Sequence, residues 1–389
     1  MRVLVTGSTG FTGGHLTRAL AATGDHVRAL VRRGTSGSDP EPTGSDPGRK
    51  TIHTGSDPGS DLRDLGVDLS HRTETGSNQA ARTVPDFGPR TPPPGSDPEH
   101  RGSDPGGIEV VHGDVRDPEA MRVAADGVDV VYHIAAIYRQ AGLPDAEYRA
   151  VNATAVRTVI EAAKAGGARR VVHCSTVGVH GDIEHPPANE DAPLRPGDIY
   201  QQTKLEGEEI AREAGRRSGI EVVIARPTGI YGPGDRRLLK LFRGVSRRRF
   251  VILGDGRIFY HLTHIDDLVD GFRLCGTVPA AAGRTYILAG GEVTTLNELT
   301  RLVAEEAKVP PPRLHLPVAP FWIAGAMCEL ICAPLGIEPP LYRRRVDFFT
   351  KSRAFDISRA RQELGYAPRV GLREGIRRTL QWYREQGWL

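Results

Sequence analysis

The sequence predicts an α/β protein built on a doubly wound parallel sheet, with a smaller C-terminal substrate-binding lobe and a disordered insertion. Three observations predict it. Short runs rich in Val and Ile alternate with amphipathic helical segments up to about residue 225. A glycine-rich turn, GSTGFTG from Gly7, joins the first run to the first helix. Residues 34–107 break this texture with Gly, Pro, Ser and Asp, and the tetrapeptide GSDP recurs from Gly37, Gly44, Gly55, Gly95 and Gly102.

RVLVTG, Arg2 to Gly7, is the first strand, and a helical pattern runs from Gly10 to Ala22. HVRALV, IEVVHGD and VDVVYHIAA supply the second, third and fourth strands. AVNATAVRTVIEAAKAGG is an amphipathic helix stopped by Gly166 and Gly167. ARRVVHCST is a fifth strand, YQQTKLEGEEIAREAGRRSG a helix and IEVVIARP a sixth strand. Strands apolar on both faces require helices on each side of a parallel sheet. Residues 1–225 therefore form a dinucleotide-binding unit of the Rossmann kind, and 226–389 mainly a substrate lobe with segments returning to the sheet. In that lobe TGIYGPGD and VILGDGR are turn-rich, LTHIDDLVDGFRLC and TTLNELTRLVAEEA helical, and LREGIRRTLQWYREQGWL amphipathic. Residues 34–107 have too few apolar side chains to offset the entropy of ordering them, so they read as an insertion.

Composition narrows the function classes. With 389 residues, 39% hydrophobic and 25% charged, the chain has ample core material. A net charge of +3 is too small for a nucleic-acid binder, and the basic runs at Arg247 and Arg343 read as solvated surface, with phosphate binding as the other reading. Cys174, Cys275, Cys328 and Cys332 form no CxxC pair and meet no histidine cluster, so no metal is expected. MRVLVTG lacks the pattern of a signal peptide, which points to the cytoplasm. The apolar stretch from Leu316 to Pro340 is interrupted by Pro320, Glu329 and Pro334, short of the roughly 20 residues of a membrane span. A buried or interfacial helix is expected there, and residues 318–337 are a candidate membrane-surface contact.

Two constellations carry chemistry. In Gly7-Ser8-Thr9-Gly10-Phe11-Thr12-Gly13 a tight turn aims backbone N–H groups and a helix N-terminus at a pyrophosphate. Tyr200 and Lys204 are four apart on a helix, hence on one face. A neighbouring cation is expected to lower the tyrosine pKa, giving a general acid/base for a hydroxyl proton. A hydrolase built on Ser175 with His173 or His180 is the competing catalytic reading, but no GxSxG elbow supports it.

Together with HGDVRD, YHIAA, HCSTVGVHG and RPTGIYGPGD, these motifs resemble the extended short-chain dehydrogenase/reductase family, the NAD-dependent epimerase/dehydratase group. The resemblance covers residues 1–33 and 108–389. It implies Thr176 as the catalytic hydroxyl with Ser175 beside it, Tyr200 as acid/base, and Lys204 on the nicotinamide ribose. Asp114 and Val115 would contact adenine, and Ala135 and Ala136 would line the cofactor's path. Gly7, Thr9, Gly10, Phe11, Thr12, Gly13, Pro227, Gly229 and Ile230 would also touch the cofactor, and Tyr138 the substrate. A homodimer through the helices containing Asn152 and Tyr200 is implied too.

Two departures refine this. The second strand ends on Val31-Arg32-Arg33 rather than on a carboxylate, which favours NADP over NAD, with Arg32 on the 2′-phosphate. Gly229 stands where nucleotide-sugar epimerases often have asparagine, and RPTGIYG is more similar to the 3β-hydroxysteroid dehydrogenase and dihydroflavonol reductase branches. The leading expectation is an NAD(P)-dependent oxidoreductase acting on a sterol-, isoprenoid- or flavonol-like small molecule. The alternative is a nucleotide-sugar epimerase or dehydratase with tightly bound NAD. A non-catalytic dinucleotide-binding regulator is disfavoured by intact Thr176, Tyr200 and Lys204.

Overall fold

The computed structural model describes residues 1–32, 107–140, 142–332 and 343–389, with the side chains of 343–345 excluded. The 34–107 insertion thus lies outside the described residues except for Gly107, as do Arg33 and residues 333–337 of the apolar stretch.

The first half follows the strand–helix alternation: β1 (Arg2–Thr6), α1 (Phe11–Ala22), β2 (His26–Val31), β3 (Ile108–His112), α2 (Pro118–Ala125) and β4 (Val130–His133). Then come α3 (Asp145–Arg149), α4 (Ala155–Ala165), β5 (Arg170–Cys174), α5 (Ile199–Ser218) and β6 (Glu221–Pro227). The second half contains β7 (Gly229–Tyr231), α6 (Leu239–Ser246), β8 (Ile252–Leu253), β9 (Phe259–His264), α7 (Ile265–Thr277), β10 (Thr285–Leu288) and β11 (Val293–Thr295). It ends with α8 (Leu296–Ala307), β12 (His315–Leu316), α9 (Val318–Cys332), α10 (Arg343–Thr350), α11 (Ser358–Leu364) and α12 (Leu372–Glu385).

A seven-stranded sheet has the order β10-β6-β5-β4-β1-β2-β3, with every pairing parallel. The chain runs outward from β1 in one direction and from β4 in the other, which opens a crevice at the carboxyl ends of β1 and β4. Leu16 and Leu20 of α1 and Leu268 and Phe272 of α7 pack on one face. Met121 of α2, Val156, Val159 and Ile160 of α4, and Ala211 of α5 pack on the other. The substrate-side core joins Phe242, Tyr260, Leu299, Val303, Ile376 and Tyr383 around the β11-β9-β7 sheet.

Local chemistry shifts several boundaries. LTHIDDLV is not helical throughout: Leu262–His264 pair with β7, and α7 starts at Ile265. There the His264 ring accepts the Asp266 N–H at 3.3 Å. Val293–Thr295 likewise pair with β9 before α8, which Thr295 caps through the Glu298 N–H at 3.2 Å. The AVNAT segment is a π-turn over Ala150–Thr154 that runs into α4. The apolar helix α9 is not buried. Gly325 is its buried residue, while Trp322, Ile323, Met327, Leu330 and Ile331 are exposed, Leu330 by 76%. Among the described residues no helix is long and apolar enough to cross a membrane.

One buried ion pair ties the elements beneath the crevice. Arg226 of β6 donates Nε–H to Glu208 Oε1 at 2.8 Å and Nη2–H to Oε2 at 2.7 Å, both side chains being 2% exposed or less. Ser175 donates its hydroxyl to the same carboxylate at 2.6 Å, and Arg212 adds a bond at 3.0 Å. Arg226 also donates to the Glu190 carbonyl at 3.0 Å and meets His180 Nε2 at 3.1 Å. Burial pushes the Glu208 carboxyl up, but the Arg226 hydrogen bonds and charge outweigh it and hold the pKa below 4.5.

Glu208→Gln would leave Arg226 buried without its counter-ion, and a loss of about 3–5 kcal/mol is expected in denaturant unfolding at neutral pH. Because the folded pKa is depressed, the pair's contribution is present above pH 4.5 and fades as pH falls through the lowered value. A variant as stable as the parent at pH 7 would contradict this. β2 and β3 pair in continuous register from Val27↔Ile108 to Val31↔His112, whatever lies between them. Replacing residues 36–105 with a short Gly/Ser linker should therefore keep the fold and hydride transfer. A large fall in Tm or dinucleotide affinity would show that the replaced segment is structural.

Candidate active site

A cavity of ≈ 770 Å³ opens at the carboxyl ends of the strands. Its dinucleotide end begins at the turn between β1 and α1. Gly7 has φ +71°, and a Cβ there would come within 2.7 Å of the Ala135 nitrogen. A Cβ on Gly13 would lie 2.1 Å from the Gly7 carbonyl oxygen, so this turn closes only with glycine. Gly10 caps α1 without a side-chain hydrogen bond. The first N–H groups of α1 thus face the cavity with the positive end of the helix dipole. This cradle fits a pyrophosphate.

Every residue assigned from the sequence lines this one cavity: Gly7, Thr9, Gly10, Phe11, Thr12, Gly13, Arg32, Asp114, Val115, Ala135, Ala136, Tyr138, Ser175, Thr176, Tyr200, Lys204, Pro227, Gly229 and Ile230. Asp114 is hydrogen-bonded to Arg116 at 2.9 Å, which holds its carboxyl below the usual value. A Cβ on Gly229 would meet Leu262 Cδ2 at 2.8 Å, so an asparagine there would require Leu262 to move.

At the other end stand the candidate reacting groups. Thr176 Oγ1 accepts the Gly178 N–H at 3.0 Å, which fixes its rotamer while its proton remains available to donate. Ser175, by contrast, commits its hydroxyl to Glu208. Neither His173 ring nitrogen has a hydrogen-bond partner among the described residues, and His180 is engaged by Arg226 and the Pro193 carbonyl. Ser175 pairs with neither His173 nor His180, so the hydrolase reading lacks its nucleophile and base.

The electrostatics correct one expectation. Tyr200 is not pulled down by Lys204. Burial pushes its pKa well above 10.0, with the neighbouring Tyr138 and Cys174 adding to the rise. The cations that oppose this are Arg139 and Arg237. Lys204 is 1% exposed, and burial lowers its pKa. Beneath it, His133 is held near 3 and His173 well below 6.5, by burial first and then by the Lys204 charge. Both rings are therefore neutral at physiological pH. They pack 5.4 Å apart as uncharged ground under the ammonium.

Three positioning groups were missed from the sequence. Asn152, buried in the π-turn, accepts the Ile137 N–H at 2.8 Å and donates to the Ile137 carbonyl at 3.0 Å and Thr203 Oγ1 at 3.2 Å. It clamps the loop after β4 to α5; the signal was a lone amide in an otherwise small, apolar AVNATAV face. Asp198 caps α5 through the Gln201 N–H at 2.8 Å and pairs with Arg139 at 2.8 Å. Thr6 Oγ1 accepts the Ala135 N–H at 3.2 Å and contacts His133 Nδ1 at 2.9 Å, setting the strand end past which a cofactor would run.

Comparisons with known proteins agree with this geometry. The model of the NAD dependent epimerase/dehydratase family matches residues 3–289. The chain is 30% identical over 295 residues to an Arabidopsis thaliana 3beta-hydroxysteroid-dehydrogenase/decarboxylase, isoform 2, covering 71% of this chain but only 52% of the relative. It thus spans about half the length of that plant protein. It is 31% identical over 295 residues to the sterol-4-alpha-carboxylate 3-dehydrogenase, decarboxylating, of Saccharomyces cerevisiae, covering 72% and 84% of the two chains. The dTDP-glucose 4,6-dehydratase of Streptomyces venezuelae, solved with NAD and TYD bound, superposes with a TM-score of 0.65 at 25% identity, over 100% and 98% of the chains. A turn shaped for a pyrophosphate, a Thr176–Tyr200–Lys204 floor and a family match across most of the chain lead to one conclusion: this protein is an enzyme of the NAD-dependent epimerase/dehydratase family, an extended short-chain dehydrogenase/reductase.

Proposed function

We propose that the protein is an NAD(P)-dependent oxidoreductase that interconverts a hydroxyl and a keto group on an apolar molecule of sterol, isoprenoid or flavonol type. The observation that carries this reading is the meeting of Thr176, Tyr200 and Lys204 with the glycine cradle in one cavity, whose far wall includes Leu241, Tyr260, Leu262 and Phe348. The similarity to two sterol-related dehydrogenases supports the substrate class.

When bound, the nicotinamide accepts or supplies the hydride. The chain's own residues manage the rest. Thr176 donates a hydrogen bond to the substrate oxygen, and the Tyr200 hydroxyl exchanges the proton with it. The raised Tyr200 pKa keeps the phenol protonated in the unliganded protein, ready to donate when a carbonyl is reduced. Lys204 would hold the ribose hydroxyls, and its burial concentrates the ammonium's field on the nearby oxygens. Arg32, exposed at the end of β2, supports the lean towards NADP through its charge.

The second reading, a nucleotide-sugar epimerase or dehydratase with tightly held NAD, is favoured by the likeness to the NAD-bound sugar dehydratase. Glycine at 229, where nucleotide-sugar epimerases often have asparagine, counts against it.

Tyr200→Phe and Thr176→Ala should each lower kcat by about 10²–10⁴-fold with dinucleotide affinity retained. Full turnover in Tyr200→Phe would remove the assignment. Denatured protein should release no stoichiometric NAD, and Arg32→Glu should shift the kcat/KM preference from NADP towards NAD at least about tenfold. Stoichiometric retained NAD would instead favour the epimerase reading.

A further inference from the structure

The apolar helix α9 packs inside out. Phe321, Gly325, Cys328 and Cys332 recur at helical spacing and form its buried or half-buried side. Phe321 joins Leu316 and Val318 on the substrate-side core. Ile323, Met327, Leu330 and Ile331 form the opposite side, and each is more than half exposed. A surface helix normally turns its large apolar side chains towards the protein and its polar ones outward. Here the large apolar side chains face outward, and the single charged residue of α9, Glu329, is half-buried.

The root of this helix is basic. α9 follows β12, which pairs with β8 through the Ile252 N–H on the Leu314 carbonyl at 3.0 Å and the Gly254 N–H on that of Leu316 at 2.8 Å. Arg247, Arg248 and Arg249 lead into β8, Arg257 follows it and Arg313 leads into β12, all of them exposed. Residues 247–257 and 313–332 hold these arginines against two carboxylates, Asp255 and Glu329. Among the described residues none of these arginines has an ion-pair partner. The exposed Arg301, Arg373, Arg377 and Arg378 of α8 and α12, by contrast, all do.

A second copy of the chain fits this face poorly. One side of one helix falls short of the roughly 800 Å² per partner of a stable dimer. A two-fold contact there would also bring the arginine-rich edges of both copies together. A bilayer surface sets no minimum area, because binding grows with the apolar surface inserted and with the attraction of cations to anionic headgroups. We propose that α9 docks this enzyme on an anionic membrane surface. The helix lies in the plane of the interface, Ile323, Met327, Leu330 and Ile331 enter the boundary between headgroups and acyl chains, and the arginines at its root meet lipid phosphates. α10, on which α9 packs, contributes Asp347, Phe348 and Lys351 to the cavity wall, so the lipid lies one helix layer from the cavity.

The test mixes the full chain with vesicles of phosphatidylcholine alone, or of phosphatidylcholine and phosphatidylglycerol in equal parts, and separates bound protein by flotation. Binding to the mixed vesicles should be at least about tenfold tighter than to the neutral ones and should weaken with added salt. Ile323→Asp with Leu330→Asp should abolish it, and Arg247→Glu with Arg249→Glu should remove the preference for anionic lipid. Both double variants should keep the parent's Tm and dinucleotide affinity, because the altered residues lie outside the cavity and the core. No flotation with the mixed vesicles overturns the proposal, and so does flotation that the aspartate pair leaves intact. Dimerisation in light scattering that the aspartate pair dissolves, without flotation, assigns the face to a second copy and overturns it too. Quenching of tryptophan emission by brominated lipid should be strong in the parent and lost in Trp322→Phe, a readout that needs no charged variant to fold. Equal quenching in both would move the contact away from α9 and overturn the docking. Neither readout involves hydride transfer, so the docking surface and the oxidoreductase reading stand or fall separately.

Discussion

The Glu208–Arg226 ion pair is the constraint on which the site's geometry rests. It joins the helix carrying Tyr200 and Lys204 to the strand whose end forms the cavity wall, and through Ser175 it fixes the residue just before Thr176. A charge buried this deeply tolerates little displacement, since each partner without the other faces the full desolvation cost. Three segments distant in sequence are thereby held in one registry. Thr176, Tyr200 and Lys204 keep a common frame because a carboxylate beneath them cannot move cheaply.

Around that anchor the protein sorts charge by depth. His133 and His173, in the sheet itself, are kept neutral by burial. Above them Lys204 retains the local positive field, and the Asp198–Arg139 pair lies beside the phenol at the N-terminus of α5. The tyrosine's proton affinity is set first by burial and then by groups from several elements, the loop after β4 and the segment before α6 included. A motif-level account, in which one lysine tunes one tyrosine, leaves out the groups that act on it most directly.

Much of this was legible in the sequence. The Val- and Ile-rich runs became strands because β-branched residues packed on both faces suit a covered parallel sheet. Gly7 and Gly13 were legible because a close backbone approach excludes any side chain. Arg139, Arg237 and Asn152 were not, because their roles arise from contacts between segments far apart in the chain. Arginine in a loop looks like solvated surface until folding places it over an aromatic ring. The starts of α7 and α8 were misread for a related reason: β9 and β11 pair with strands remote in sequence, and that pairing overrides the local helical pattern. Apolar composition left α9 open between a buried and an interfacial helix, and its exposed face speaks against the buried one.

The pairing of β2 with β3 has a consequence for the entropy of assembly. Thr6 ends β1, Val31 ends β2, and the chain returns at Ile108 to complete the edge of the sheet. Closing so long a connection costs about 2 kcal/mol more than closing one of about six residues, by logarithmic scaling. β1 pairs with β4 across the same stretch of chain, so the centre of the sheet closes that connection too. Once β2 and β3 have paired, β4 follows β3 by a connection of ordinary length, and the entropy is met once for both pairings. Asp114 after β3 and Ala135 after β4 thus come to the cavity through one shared closure.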